Sequence, residues 1–144
     1  MLLADFVQES AGKLYITGGG WTRVLRPDQP TPMGIAIKLR GGRVPNKERK
    51  FVAALVHKGG RAVILKNPGE KKGRRVQFTG TMRPLPSSAK STPLDAAIAV
   101  NLVLALEPGR YEWRFDLDGH RLATWPFEVV AAPPTQQASH PPTP

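Results

Sequence analysis

The sequence contains no cysteine among its 144 residues. This absence excludes disulfide bonds, thiolate nucleophiles and the zinc and iron–sulfur sites that need sulfur ligands, and it fits a reducing compartment. Long apolar runs are missing too. The longest, Leu94 to Leu106, contains Asp95 and Asn101 and is shorter than the roughly 20 residues that span a bilayer. The amino terminus lacks a basic segment before its apolar residues, so we expect a soluble chain without a signal peptide.

Acidic residues are few compared with basic ones. The chain has 11 Asp and Glu against 21 Lys and Arg, which gives a formal net charge of +10. The excess is uneven, because between Lys38 and Arg83 only Glu48 and Glu70 oppose 14 basic residues. Localised positive charge favours polyanions or acidic protein surfaces and speeds association with them.

Residues suited to catalysis are also scarce. The histidines, His57, His120 and His140, lie beside a predicted loop, beside a tight turn and near the carboxyl terminus, and none has a partner at metal-ligand spacing. No serine has the Gly-x-Ser-x-Gly surroundings of a nucleophile elbow. Asp116 and Asp118 are close in sequence, but the outward face of a strand accounts for Asp116 and the turn accounts for Asp118. We therefore expect no catalytic residue, no bound metal and no cofactor.

Glycine and proline are abundant, and they separate short apolar segments. The 14 glycines and 15 prolines form a pattern typical of many strands joined by turns. The clearest signal is Arg110 to Val130, where aromatic and charged residues alternate on either side of Asp118-Gly119, a dipeptide preferred in two-residue type I′ turns. Leu122 is out of phase and Pro126 lacks an N–H, so we expect a bulge or an edge position there.

Two later segments are harder to assign. The alanines and leucines of Leu94 to Leu106 allow a helix, but alternate apolar residues from Val100 onwards favour a strand. Met82 to Thr92, rich in Pro and Ser, predicts a surface loop. About eight or nine short strands and no recurring helix predict an all-β, immunoglobulin-like antiparallel β-sandwich. Tyr111, which follows Pro108-Gly109, is placed like the tyrosine of a tyrosine corner.

The composition changes near residue 131. We expect a β-sandwich domain over residues 1–130 and an extended proline-rich tail over residues 131–144, which contain no Lys, Arg, Asp or Glu. The tail is predicted to make a second contact with a partner, and its candidate contact residues are Pro133, Pro134, Pro141 and Pro142.

The basic middle third contains the candidate partner-binding residues, which we expect to form one patch. They precede two predicted strands and are Arg43, Lys47, Arg49, Lys50, Lys71, Lys72, Arg74 and Arg75. Phe51 and Phe78 are expected in the core, so the patch lacks interleaved aromatic residues for stacking on bases. This favours a solvated charged loop or contact with an acidic protein surface, with nucleic acid as the alternative.

Four segments together resemble a known family. They are Leu2–Phe6, Gly12–Trp21, Ala99–Leu102 and Pro108–Trp113 with Asp118-Gly119, and their order resembles a family of small uncharacterised β-sandwich proteins of actinobacteria and their phages. The resemblance implies a compact β fold over most of residues 1–130 and a phage or host setting. It implies no activity and no catalytic residues.

By analogy with immunoglobulin-like modules on phage particles, we expect a non-catalytic structural protein. It would be made in the host cytoplasm and would decorate the capsid or associate with the head. Its partners would be other virion or assembly proteins, or further copies of itself, and we expect no membrane contact. The alternative is a cytoplasmic binding module, of bacterial or phage origin, that contacts nucleic acid through the basic patch.

Overall fold

A computed structural model of the protein describes residues 1–26, 30–66, 69–83 and 90–131. These residues form strands and turns, and no helix among them could span a membrane. The prediction of an all-β chain is confirmed. The strands of the described residues are β1 Leu2–Ala4, β2 Phe6–Ser10, β3 Lys13–Thr17, β4 Arg23–Arg26, β5 Thr31–Pro45, β6 Arg49–His57, β7 Ile64–Leu65, β8 Arg74–Arg75, β9 Gln77–Met82, β10 Ser91–Leu104, β11 Gly109–Leu117 and β12 His120–Ala131.

These twelve strands exceed the expected eight or nine because short breaks divide several predicted segments. Asp5 separates β1 from β2, and β7 and β8 have two residues each. The ambiguous segment from Leu94 lies in β10 and is a strand, as favoured. β10 begins at Ser91, so the carboxyl end of the predicted surface loop is strand instead. Residues 84–89 of that loop lie outside the described residues, as do residues 132–144 of the predicted tail.

Two sheets pack face to face. A three-stranded sheet has the order β1-β5-β10, and a five-stranded sheet has the order β4-β12-β11-β6-β9. Their pairs are antiparallel except for β12 with β4, which is parallel. Separate two-stranded sheets join β2 to β3 and β7 to β8. The architecture is a β-sandwich, and its immunoglobulin-like type stays a prediction.

The core lies between the two sheets, where β5 and β11 contribute every second side chain. β5 supplies Met33, Ile35, Ile37 and Leu39, and β11 supplies Tyr111, Trp113, Phe115 and Leu117. Trp113 is fully buried, and its indole N–H donates to the Met33 sulfur at 3.2 Å. The only polar atom of the largest core side chain therefore has a partner inside the sandwich.

The hairpin of β11 and β12 follows the sequence prediction. Asp118 and Gly119 have φ values of 49° and 81°, as a type I′ turn requires. The register passes from Phe115 opposite Ala123 to Asp116 opposite Arg121, so Leu122 forms a bulge. Pro126 precedes the part of β12 that β4 joins at Glu128, so it has a paired strand on one side only. Both features of β12 are confirmed.

The corner before β11 is also as predicted. The Tyr111 hydroxyl donates to the carbonyl oxygen of Glu107 at 2.7 Å, which is the bond that defines a tyrosine corner. The ring of Tyr111 stacks on Phe127 with centroids 5.6 Å apart. The bond thus connects the turn before β11 to the core through one rigid side chain.

The hairpin of β2 and β3 forms a third layer on the outer face of the three-stranded sheet. A second, smaller apolar cluster fills the contact and contains Ala4, Val7 and Ala36, with Leu2, Leu14 and Ala99 packed against it. The Asn101 side chain acts like a neighbouring strand: its Oδ1 accepts from the Val7 N–H at 3.0 Å, and its Nδ2 donates to the Val7 carbonyl at 2.8 Å. A Cβ on Gly34 would lie 3.1 Å from the Phe6 and Val7 backbone, so glycine allows this close approach.

Replacing Asn101 with alanine should lower the free energy of unfolding by about 1–2 kcal/mol, because both Val7 backbone groups lose their partner. Chemical denaturation measures this loss. Relative to the wild type, hydrogen exchange should become faster in β2 and stay unchanged in β11. Gln77→Ala, which removes an exposed amide on β9, is the control. Equal effects of the two substitutions would contradict the role assigned to Asn101.

Tyr111→Phe should cost about 1 kcal/mol of unfolding free energy, because the ring remains while the bond to the Glu107 carbonyl is lost. Tyr15→Phe is the matched control, since Tyr15 is exposed on β3. Thermal unfolding of both variants gives the comparison. If Tyr111→Phe unfolds like the wild type, the hydroxyl contributes nothing to the corner.

Candidate interaction surface

The first group of predicted site residues surrounds the connection from β5 to β6. This group, Arg43, Lys47, Arg49 and Lys50, is called the β5–β6 cluster. The Asp118 carboxylate accepts from Arg49 Nη1 at 2.7 Å and from the Lys50 backbone N–H at 3.0 Å. The Asp118 N–H donates in return to the Lys50 carbonyl at 2.8 Å. The β11–β12 turn therefore holds the start of β6 in place.

The cations of this cluster differ in how they are compensated. Arg43 lies in β5 and donates to the Ser91 hydroxyl at 3.1 Å and the Ser91 carbonyl at 2.6 Å. Arg49 is mostly buried, and Asp118 compensates its charge. Lys47 and Lys50 are exposed, and neither makes an ion pair with a described residue. The two lysines are thus available to an external partner.

The second group, Lys71, Lys72, Arg74 and Arg75, lies on the hairpin of β7 and β8 and is called the β7–β8 cluster. Lys71 and Lys72 precede β8, which Arg74–Arg75 form opposite Ile64–Leu65. A Cβ on Gly73 would lie 2.4 Å from the Ile64 side chain, so the hairpin needs glycine there. Arg74 pairs with Glu70 at 3.0 Å. The other three cations are exposed and make no ion pair to the part of the chain that is described.

The structure places the two clusters on different elements. The β5–β6 cluster joins β6 at Lys50, whereas the chain after β8 meets β6 where the Leu55 N–H donates to the Val76 carbonyl at 2.9 Å. Five residues of strand separate these positions, or about 17 Å. No hydrogen bond or ion pair within the described ranges links the clusters. Their union into one patch stays a prediction, and the tail residues Pro133, Pro134, Pro141 and Pro142 lie outside those ranges.

Comparison with known protein families places most of the chain in a family. Residues 1–130 match the model of a family of unknown function, DUF6941. The chain belongs to the DUF6941 family. No curated protein matches it.

In this DUF6941 chain, the segments that carry the resemblance lie at structural junctions. Leu2–Phe6, Gly12–Trp21 and Ala99–Leu102 meet where the β2–β3 hairpin packs on the three-stranded sheet. Pro108–Trp113 contains the tyrosine corner. Both basic clusters lie outside these four segments. The resemblance is therefore explained by architecture and does not itself indicate a binding surface.

Three of the groups considered for catalysis, His57, Asp116 and Asp118, have structural partners. The His57 ring lies 5.1 Å from the Tyr111 ring. Asp116 pairs with Arg121, and Asp118 pairs with Arg49. Each of the two neighbouring carboxylates is thus held by its own guanidinium. Within the described part of this DUF6941 chain, no three His, Asp or Glu side chains converge as metal ligands.

An apolar cleft of about 760 Å³ lies beside the β5–β6 cluster, and sequence reasoning missed it. Arg49 lines it together with residues from the end of β9 and the start of β10, chiefly Met82, Pro93, Leu94 and Ala96. The sequence predicts a surface loop from Met82 to Thr92, so it gives no reason to bring these residues together. Their positions become visible only when β9 and β10 are placed in opposite sheets.

Asp95 also lines the cleft and provides its acidic group. A hydrogen bond from Lys38 lowers the pKa of the Asp95 carboxyl group, against a smaller opposing effect of desolvation, and Arg40 adds to the decrease. Lys38 also donates to the Gly12 carbonyl at 3.0 Å, so it connects β10 to the β2–β3 turn. The Asp95 carboxylate is compensated by Lys38 and Arg40, so it adds no net negative charge to the cleft.

Two substitutions of Asp118 should separate the roles of its charge and its backbone conformation. Asp118→Asn should cost less than about 1 kcal/mol of unfolding free energy, because Asn tolerates positive φ and can still accept from the Lys50 N–H. Asp118→Ala should cost about 2 kcal/mol, since it loses that bond and strains the turn. Urea denaturation of both variants checks the order. Equal losses would show that the ion pair with Arg49 dominates.

Proposed function

We propose that this protein is a non-catalytic binding domain that docks on an acidic protein surface through its β5–β6 cluster. The setting we propose is a bacteriophage particle, where the chain decorates the capsid or associates with the head after synthesis in the host cytoplasm. Other virion or assembly proteins would be its partners. The proline-rich tail would make a second contact.

One observation carries the docking proposal. Lys47 and Lys50 are exposed without an ion-pair partner in the described ranges, and they belong to the same cluster as Arg49, which lines the apolar cleft. Protein interfaces commonly combine an apolar centre that accepts an anchoring side chain with a polar rim. The cleft supplies the first feature, and the two lysines supply a rim of positive charge that would steer an acidic partner.

The phage setting is supported by two weaker arguments. The first is the order of the four segments that resemble proteins of actinobacteria and their phages. The second is the analogy with β-sandwich modules that decorate phage capsids and tails, which is an argument from fold alone. The test therefore asks two things: whether the protein binds a particle, and whether the β5–β6 cluster makes the contact.

Nucleic acid is the alternative partner, because unpaired lysines and arginines also neutralise phosphates. The positions of the aromatic residues in the basic region argue against nucleic-acid binding. Phe51 stacks on Phe115 with centroids 5.8 Å apart, and Phe78 packs against Trp113 at 5.9 Å. Both rings are used by the core and are not free to stack on bases. The surface geometry therefore favours an acidic protein.

Reversing the charges of Lys47 and Lys50 to Glu should abolish co-sedimentation of the protein with particles purified from the source culture. Because the contact is electrostatic, the wild-type protein should sediment with them at low salt and dissociate as the salt concentration rises. Quantitative immunoblotting of gradient fractions measures the bound protein. Lys13→Glu with Lys58→Glu makes the same change in charge at two other exposed lysines and should leave binding intact.

A DNA titration distinguishes the alternative. The wild-type protein is mixed with labelled duplex and single-stranded DNA at two salt concentrations, and fluorescence anisotropy is recorded. Tight binding that weakens steeply with salt, together with no protein in the particle fractions, would support nucleic-acid binding in place of docking on a particle. Equal loss of particle binding in both double variants would show that only net charge matters.

A further inference from the structure

β10 forms one edge of the three-stranded sheet. β10 pairs with β5 over its full length, from Ser91 opposite Pro45 to Leu104 opposite Thr31. Within the described ranges no strand pairs with its other side. A 14-residue strand thus presents a long row of backbone donors and acceptors along one edge. Such an edge is a template for another strand.

Only the beginning of this edge carries the features that normally prevent pairing. Pro93 and the adjacent bulge protect the first residues, since proline and bulges interrupt strand pairing. From Ala96 to Val100 the strand has five consecutive apolar residues, and all are partly exposed. By contrast, β1 has only three residues, and β4 begins and ends with arginine. The centre of β10 is therefore the unprotected part of the edge.

Charge indicates which kind of strand fits there. β10 contains no Lys or Arg, and its single acidic residue, Asp95, is paired with Lys38 and Arg40 of β5. An acidic partner strand would find no cation on β10 to attract it. Two copies of a chain with a net charge of +10 can approach most closely where basic residues are absent. The edge thus suits a second copy of this chain.

The register of such a pair can be derived. In two antiparallel β10 strands related by a twofold axis, the numbers of every two paired residues add up to the same value. This value is even, because paired residues lie on the same face of the sheet and alternate residues of a strand share a face. When Ile98 pairs with itself, Ala96 faces Val100, Ala97 faces Ala99 and Asp95 faces Asn101. The apolar residues then meet each other. The polar residues also meet, and Asn101 keeps a second amide hydrogen for the Asp95 carboxylate.

We propose that this protein forms a twofold dimer in which the β10 strands of two copies pair antiparallel about Ile98 and join their three-stranded sheets into one. This interface uses neither Lys47 nor Lys50 and needs no acidic partner, but its paired strands include Pro93, Leu94, Asp95 and Ala96, which also line the apolar cleft. The dimer therefore does not require the docking proposal, and a partner bound in the cleft would compete with it at the start of β10.

The absence of cysteine from the chain makes disulfide trapping a direct test. Ile98→Cys should form a covalent dimer under mild oxidation, because paired residues in an antiparallel sheet have Cα atoms within disulfide reach. Val103→Cys is the control, since Val103 is more exposed but would face Pro93 and not itself. Ala96→Cys and Val100→Cys should cross-link when mixed and much less when alone. Non-reducing gels measure the products.

A second measurement uses the unmodified protein. Light scattering after gel filtration should give twice the chain mass of 15.7 kDa, with dissociation on dilution. Hydrogen exchange at two concentrations should show slower exchange for β10 at the higher one, with no change for the edge strand β9. A single-chain mass at every concentration would overturn the proposal. Cross-linking of Val103→Cys as fast as Ile98→Cys would also overturn it.

Discussion

The burial of Trp113 between the two sheets is the contact on which the rest of the structure depends. Its side chain is fully buried, and its N–H bonds to the sulfur of Met33 in the opposite sheet. The Tyr111 and Phe115 rings lie on the same face of β11, beside this contact, and stack on neighbouring aromatic residues. The buried residues that alternate along β11 therefore fill the core. They also fix the position of the five-stranded sheet, which contains the start of β6.

The outer hairpin shows a different way of joining layers. Val7 is fully buried and Leu14 packs beside it. A further connection comes from one polar side chain, Asn101, which completes both backbone hydrogen bonds of Val7. Gly34 permits the close approach. Because these contacts join residues far apart in sequence, no local pattern predicts them. Asn101 was visible in the sequence only as an interruption of an apolar run.

The candidate surface was predicted unevenly for a similar reason. The excess of charge in the middle third is a property of composition, so the eight basic residues could be named in advance. Whether each charge is available depends on its neighbours. Asp118, from a distant turn, compensates Arg49, whereas Lys47 and Lys50 have no such partner in the described ranges. The cleft beside them arises from β9 and β10, whose strands belong to different sheets.

The sequence by itself determined the all-β class, the β11–β12 hairpin with its Asp118-Gly119 turn, the bulge at Leu122 and the tyrosine corner. These features follow from alternation and turn chemistry, which act between residues close in the chain. Only the tertiary structure decided the sheet order, the packing position of the β2–β3 hairpin, the separation of the basic clusters and the free edge of β10. Each of these depends on which distant strands become neighbours, and that choice is made by packing the whole core at once.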